Sequence, residues 1–243
     1  MARSFAVFDI DGTIIRWQLY HAIADELAKE GHLDQEQYEK VKAARLTWKQ
    51  RAHETSYQDY EHALIKFFEA AVKDISVDVL KQACGAVLDR YKDQVYIYTR
   101  SLIKELKDKD YLLFAISASQ DMIVQLLAMY YGFDDSGGSI YEVKNGKFTG
   151  HSEILKSERK PEFLKQLVDK HGASWKGSIA VGDSEGDIPM LASVEQPIAF
   201  NPTKELFGHA KSQGWKVVIE RKSMIYELEP HDGKYVLEET GSQ

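Results

Sequence analysis

Apolar residues recur along this chain with two different periods, and the change of period divides it. Residues 5–8 are a short unbroken apolar run, Phe5-Ala-Val-Phe8, with the character of a buried strand. After that the period becomes helical. Leu19, Ile23 and Leu27 fall four apart with Gly31 beyond them, which predicts a helix and its stop. Tyr38, Val41, Ala44 and Trp48 continue at helical spacing, as do Tyr57, Tyr60, Leu64, Phe67 and Ala71. Leu80, Ala83, Val87 and Tyr91 predict a further helix, with Ser76 or Asp78 available as its cap. Residues 17–91 therefore read as about four helices without a strand.

Beyond this stretch, strand and helix alternate. A helix carrying Leu102, Ile103 and Leu106 precedes an apolar strand-like run over residues 111–117. A helix over Met122, Leu126 and Tyr130 ends near Gly132, and Asn145-Gly146 between two short strand patterns is a hairpin signal. Lys160-Pro161 opens a helix with Phe163, Leu164, Leu167 and Val168, and Gly172 suits its stop. Residues 178–181, 198–200 and 216–219 read as buried strands, and residues 226–228 and 235–237 are expected to pair across Asp232-Gly233. Such alternation predicts an α/β fold with a doubly wound, mostly parallel, Rossmann-like sheet. A crossover between parallel neighbours takes about a dozen residues or somewhat more, yet about a hundred separate the first strand from the next. An inserted helical unit explains the excess. The expected organisation is an α/β core of residues 1–15 and 95–243, including the β-hairpin, with an α-helical cap subdomain of residues 16–94.

Composition narrows the function. The chain has 243 residues, 44% hydrophobic and 28% charged, with a formal net charge of -7. This acidic balance argues against a basic surface for nucleic acid. No apolar run approaches the roughly 20 residues of a membrane span, and no signal-peptide hydrophobic region stands at the start. The expectation is a cytoplasmic protein acting on a small molecule, with no membrane or nucleic-acid partner and an oligomeric state left open. The single cysteine, Cys84, sits in a helical apolar pattern and reads as a buried structural thiol. The histidines form no metal-binding spacing, and His21, His53 and His62 read as surface or helix-packing residues.

The chemistry begins where the first strand ends, in Phe8-Asp9-Ile10-Asp11-Gly12-Thr13. Two carboxylates converge at the carboxyl end of a strand, where ligands bind in open α/β sheets. A divalent cation can neutralise such a pair, or one of the two can hold a proton. Three later stretches share this kind of position: Ser117 after a strand, Lys160 at a helix start, and Gly182-Asp-Ser-Glu-Gly-Asp187 after another strand. Lys156 and Arg159 are rivals for the place of Lys160.

In order and character these four stretches resemble the four motifs of the haloacid dehalogenase superfamily of phosphatases and phosphotransferases. The resemblance implies a magnesium-dependent reaction of a small phosphate monoester. Asp9 would be the nucleophile and become an aspartyl-phosphate. Asp11 would be the general acid and base. Magnesium would be held by Asp9, Asp183 and a backbone carbonyl at Asp11. Gly12, Thr13, Ser117 and Ala118 would hold the phosphoryl group. Lys160 would neutralise charge on phosphate and nucleophile, and Asp187 would orient Lys160 or a metal-bound water.

Nearly the whole chain resembles the phosphoserine-phosphatase-like branch, whose helical cap follows the first motif. The hairpin at Asn145-Gly146 and the tail from Ala199-Phe-Asn-Pro202 through Gly214-Trp215 to Val218 share in this. The chain departs from phosphoserine phosphatase in two motifs. Ser117-Ala118-Ser119 stands where Ser-Gly-Gly is typical, and Ser184 and Gly186 replace a glycine and an asparagine in the fourth motif. The substrate is therefore open. A phosphoserine-like ligand would need a cation for its carboxylate, for which Arg16, Arg45 and Arg51 are available, and an anion for its ammonium, for which Glu26 is available. Trp17 and Trp48 read as packing residues. A phosphotransferase or mutase would use the same intermediate, and a catalytically inactive phosphate-binding protein is the alternative from another class. Dehalogenation itself needs neither Asp11 as an acid nor a metal carboxylate such as Asp183.

Overall fold

The computed structural model describes residues 2–242. The first strand, β1 (Ser4–Phe8), is followed by four helices: α1 (Leu19–Lys29), α2 (Gln35–Lys49), α3 (Ser56–Ala71) and α4 (Val77–Tyr91). Side-chain caps start two of them. Asp34 accepts from the Gln37 amide ahead of α2, and Ser76 accepts from the Val79 amide ahead of α4. The rest of the chain alternates: α5 (Ile97–Asp108), β2 (Leu112–Gln120), α6 (Asp121–Tyr131), β3 (Asp135–Lys144), β4 (Lys147–Glu153), α7 (Lys160–His171), β5 (Ser174–Gly182), α8 (Ile188–Leu191), β6 (Gln196–Phe200), α9 (Lys204–Gln213), β7 (Lys216–Arg221), β8 (Met224–His231) and β9 (Lys234–Ser242).

The sheet order is β4-β3-β2-β1-β5-β6-β7-β8-β9. The strands from β3 to β7 are parallel, and antiparallel hairpins extend both edges. Alternation along the strands builds two cores. Phe5 and Val7 face one side with Phe114, Ala180 and the helical Leu164, Leu167 and Leu206. Ala6 and Phe8 face the other with Leu113, Val181 and the helical Ile123 and Leu127. This second core continues without interruption into the four helices after β1, through Ile23, Leu27, Tyr60, Phe68 and Val87. Chain order reverses at β1, which has β2 on one side and β5 on the other. The crevice at the carboxyl ends of β1 and β5 is thus a topological switch point, the place where such sheets bind ligands.

The Asn145-Gly146 turn has positive φ at both residues, 53° and 74°, and pairs Lys144 with Lys147, as a two-residue hairpin demands. Its tip touches the helical unit, where the Val77 amide donates to the Gly146 carbonyl. Among the described residues, no helix is long and apolar enough to cross a membrane. Cys84 is fully buried, and burial pushes its thiol up to about 12.

Candidate active site

Asp9 is the first residue beyond β1, tied to β5 by its amide, which donates to the Val181 carbonyl at 2.9 Å. Asp183 is the first residue beyond β5. The pairing of β1 with β5 therefore brings the first and fourth motifs side by side. Gly12 permits their close approach. It sits at φ +83°, and a Cβ there would lie 2.2 Å from Asp183 Oδ2. Only glycine combines this backbone with this lack of bulk.

Lys160 opens α7, on the opposite face of the sheet from the four inserted helices, and is buried. Its Nζ donates to Asp9 Oδ1 at 2.8 Å and to Asp187 Oδ1 at 2.6 Å. The other oxygen of Asp187 accepts from the Asp183 and Ser184 amides, each at 3.1 Å, and from the Ser184 hydroxyl at 3.2 Å. Asp187 is thus fully engaged, and it fixes both the ammonium and the turn that carries Asp183. The rivals for Lys160 lie elsewhere: Lys156 is exposed, and Arg159 pairs with Glu153 at 2.6 Å.

Asp11 points towards the inserted helices. Its Oδ1 accepts from the Leu19 amide at the start of α1, at 2.6 Å. Its Oδ2 accepts from the hydroxyls of Ser117 and Ser119, each at 2.9 Å. Ser119 is a site residue that the sequence reading missed. The signal was present, because residues two apart on a strand share a face. Thr13 is fully buried with its hydroxyl unpartnered, and Ala118 is exposed at the end of β2.

The electrostatics follow from burial. Asp9 is pushed up to about 8 by desolvation first and by the charge of Asp187 next, with Lys160 pulling the other way. Asp183 is raised well above the carboxylate range, by burial and then by Asp9. Burial also raises Asp11, against its hydrogen bonds from Leu19, Ser117 and Ser119. Burial disfavours charge on Lys160, yet Asp187 and Asp9 outweigh it and hold the ammonium protonated.

Fully ionised, three carboxylates around one ammonium would carry net negative charge in a buried place, which is why Asp9 and Asp183 hold protons there when no cation is bound. Oxygens of Asp9, Asp183 and Asp187 lie within 4.8 Å of one another. Among the described residues no hydrogen bond reaches Asp9 Oδ2 or the carboxylate of Asp183. Unengaged hard oxygen donors with excess negative charge fit a divalent cation of the hard class. The carboxylate of Asp11 lies outside this cluster, held by the Leu19 amide and by the Ser117 and Ser119 hydroxyls of β2, which leaves its backbone carbonyl as the expected metal contact. Asp187, expected as a supporting group, lies inside it.

The candidates for a substrate carboxylate and ammonium are mostly engaged in the structure itself. Arg16 pairs with Glu220, and Arg45 forms a bidentate pair with Asp25 at 2.7 and 2.9 Å. Arg51 is exposed in the turn after α2. Glu26 is buried between Arg90 and Lys29, which hold its carboxyl below the usual range. It is a structural anion and a correction to the expectation of an ammonium partner. Trp17 packs on Tyr91, and Trp48 packs on Tyr57 and Tyr60. Gln18, just before α1, donates to the Tyr57 hydroxyl of α3, which donates to Glu61, and this polar chain adjoins the Leu19 amide bonded to Asp11. The sequence reading assigned Tyr57 to an apolar face and passed over the other two.

Residues 6–192 match the family described as haloacid dehalogenase-like hydrolase. The phosphoserine phosphatase of Methanocaldococcus jannaschii is 26% identical over 200 residues, covering 82% of this chain and 85% of that protein. The histidinol-phosphatase of Neisseria meningitidis is 26% identical over 230 residues, covering 89% and 98%. Among solved structures, a protein of unknown function from Bordetella pertussis superposes with a TM-score of 0.74 at 21% identity, over 90% of this chain and 99% of that one. A substrate-bound phosphoserine phosphatase complex superposes with a TM-score of 0.61 at 26% identity, over 86% and 90%.

Proposed function

This chain belongs to the haloacid dehalogenase-like hydrolases and is a phosphoric monoester hydrolase, and from that premise we propose that it is a magnesium-dependent phosphatase of a small phosphorylated metabolite, working through phosphorylated Asp9. One observation carries this reading. Asp9 is buried with Oδ1 held by Lys160, no hydrogen bond among the described residues reaches its Oδ2, and a carboxylate oxygen of Asp9 lies within 4.8 Å of one of Asp183.

In this reading Asp9 Oδ2 attacks phosphorus. The bond from phosphorus to the leaving oxygen breaks, and that oxygen takes the proton of Asp11. Burial favours the protonated form of Asp11, and the three donors around it fix its direction. Asp11 then accepts a proton from water, whose oxygen joins phosphorus as the bond to Asp9 breaks. Inorganic phosphate leaves and both carboxyls return to their starting states. Lys160 balances charge on Asp9 and on the phosphoryl oxygens, and Asp187 keeps it there. Asp9, Asp183 and the Asp11 backbone carbonyl would hold magnesium, which when bound supplies the positive charge that lets a carboxylate approach a phosphate dianion. The names of the relatives, a phosphoserine phosphatase and a histidinol-phosphatase, support a phosphorylated small alcohol as substrate.

The test is phosphate release from a panel of phosphomonoesters with and without magnesium. Asp9→Asn should abolish release while leaving circular dichroism unchanged. Asp11→Asn should accumulate phosphoprotein, visible as an 80 Da mass increase (the approximate mass of one phosphoryl group, ~80 Da). Full turnover by Asp9→Asn would remove Asp9 from the role, and dephosphorylation at the wild-type rate in Asp11→Asn would remove Asp11.

A further inference from the structure

The residue before α1 and the first turns of α3 are joined by hydrogen bonds close to Asp11. The Leu19 amide is bonded to Asp11, so Gln18 stands next to the catalytic carboxyl. The Gln18 amide nitrogen donates to the Tyr57 hydroxyl at 2.5 Å, and that hydroxyl donates to Glu61 Oε1 at 3.3 Å. Tyr57 and Glu61 are one helical turn apart on α3 and share a face. A polar chain of Gln18, Tyr57 and Glu61 thus starts at the residue next to the amide that Asp11 accepts from.

Glu61 has no salt-bridge partner among the described residues, and Tyr57 is its one hydrogen-bond donor. The exposed His62 is the nearest basic group that bears on it. Burial raises Glu61, and the charges of Asp11 and Glu185 add to the effect; Tyr57 likewise feels Asp11 and Asp183. Both side chains therefore belong electrically to the site. A half-buried carboxylate without a cation is costly unless a partner arrives.

The ring of Tyr57 adjoins Glu61 and is backed by packed aromatic residues, of which Tyr60 is fully buried and carries Arg45 over its ring at 6.0 Å. Tyr57 packs on Trp48 at 5.2 Å between ring centroids, Trp48 stacks on Tyr60 at 5.4 Å, and Tyr60 stacks on His21 at 4.6 Å. Burial, then Arg45, lowers His21 to about 3, so this imidazole is neutral at ordinary pH. Arg45 itself is neutralised by Asp25. Aromatic faces with a carboxylate are the chemistry that receives an organic cation.

Building on the phosphatase reading, we propose that Glu61, Tyr57 and Gln18 form the leaving-group subsite, and that it selects amino-alcohol phosphates, in which the alcohol carries a protonated amine and no carboxylate. Glu61 receives the ammonium, and the Tyr57 hydroxyl and Gln18 amide keep it oriented towards the phosphate pocket.

Calorimetric binding to the Asp9→Asn protein tests this without turnover. Phosphoethanolamine is compared with 2-hydroxyethyl phosphate, which replaces the ammonium by a hydroxyl, and with phosphoserine, which adds a carboxylate. Phosphoethanolamine should bind about tenfold or more tighter than either. Adding Glu61→Gln should erase that preference, and Glu61→Asp, which keeps the charge, should retain part of it. Equal affinities, tighter binding of phosphoserine, no binding of any of the three, or identical behaviour of the Gln and Asp variants would each overturn the proposal. Hydrolysis of p-nitrophenyl phosphate by the wild type, which requires no ammonium, tests the phosphatase reading separately. Lost hydrolysis with a retained ammonium preference would overturn that reading alone, and retained hydrolysis without the preference would overturn the subsite alone.

Discussion

At the scale of single residues, the site depends on who occupies which carboxylate oxygen. Asp187 has both oxygens engaged, Asp9 has one, and Asp183 has neither. This gradient separates the positioning carboxylate from those that the proposed mechanism assigns to a metal and to attack. Gly12 protects the least engaged of them. Gly12→Ala places a methyl where Asp183 Oδ2 now lies. The carboxylate must move, and the magnesium concentration for half-maximal activity should rise about tenfold or more. Gly31→Ala is the control, since Gly31 also has positive φ, +77°, but its Cβ would meet nothing within 4 Å. An equal magnesium requirement in the two variants would show that backbone strain, not the clash at Asp183, sets the effect.

At the scale of elements, the parallel pair β1 and β5 delivers Asp9, the proposed nucleophile, and the acidic turn, and α7 delivers the lysine from the opposite face. The β3–β4 hairpin has a different part: its tip bonds the start of α4, and Tyr141 of β3 shares a hydrogen bond with Tyr20 of α1 at 2.9 Å. It therefore buttresses α4 and the α1 helix that begins at Leu19 and, through Tyr141 packed edge-on against Phe68, also α3 with Tyr57 and Glu61. Gly146→Ala should lower stability by about 1–2 kcal/mol through left-handed backbone strain, since its Cβ would meet nothing. Urea unfolding measures this, and an unchanged midpoint would contradict the turn geometry.

At the scale of the whole molecule, stability and metal binding are linked through buried acids. Without metal, Asp9 at about 8, Asp183 and Asp11 all hold protons more tightly than in the unfolded chain, where a carboxyl titrates near ~3.9. The folded state then binds more protons than the unfolded state between about pH 4 and 8. Stability contributed by these raised groups is present below the unfolded value and is lost as pH rises through that window. The metal-free protein should melt at a lower temperature at pH 8 than at pH 5. Magnesium should raise the melting temperature more at pH 8, because there it displaces fewer protons. A metal-free melting temperature that climbs from pH 5 to pH 8 would refute this account.

Much of the molecule was legible in its sequence, for reasons of local physics. Period distinguishes strand from helix, so the four helices after β1 and the alternation that follows were readable from Leu19, Tyr60 or Leu80 alone. Turn chemistry announced the hairpin at Asn145-Gly146. Motif residues lie at strand ends and helix starts, where spacing along the chain reports position in the fold. Other features depend on residues distant in sequence. Lys160 is separated from Lys156 and Arg159 only by burial against Asp9, which is 151 positions away. Glu26 was a free anion until Arg90 met it, and Arg45 a free cation until Asp25 did. Gln18 and Glu61 carry no pattern of their own and gain meaning only from what they face, whereas Ser119 was readable from its place two residues beyond Ser117 on a strand. Local patterns fix elements because a residue's period and backbone preference are its own. A charge becomes a ligand, a counter-ion or a selector only when the fold decides what stands opposite it.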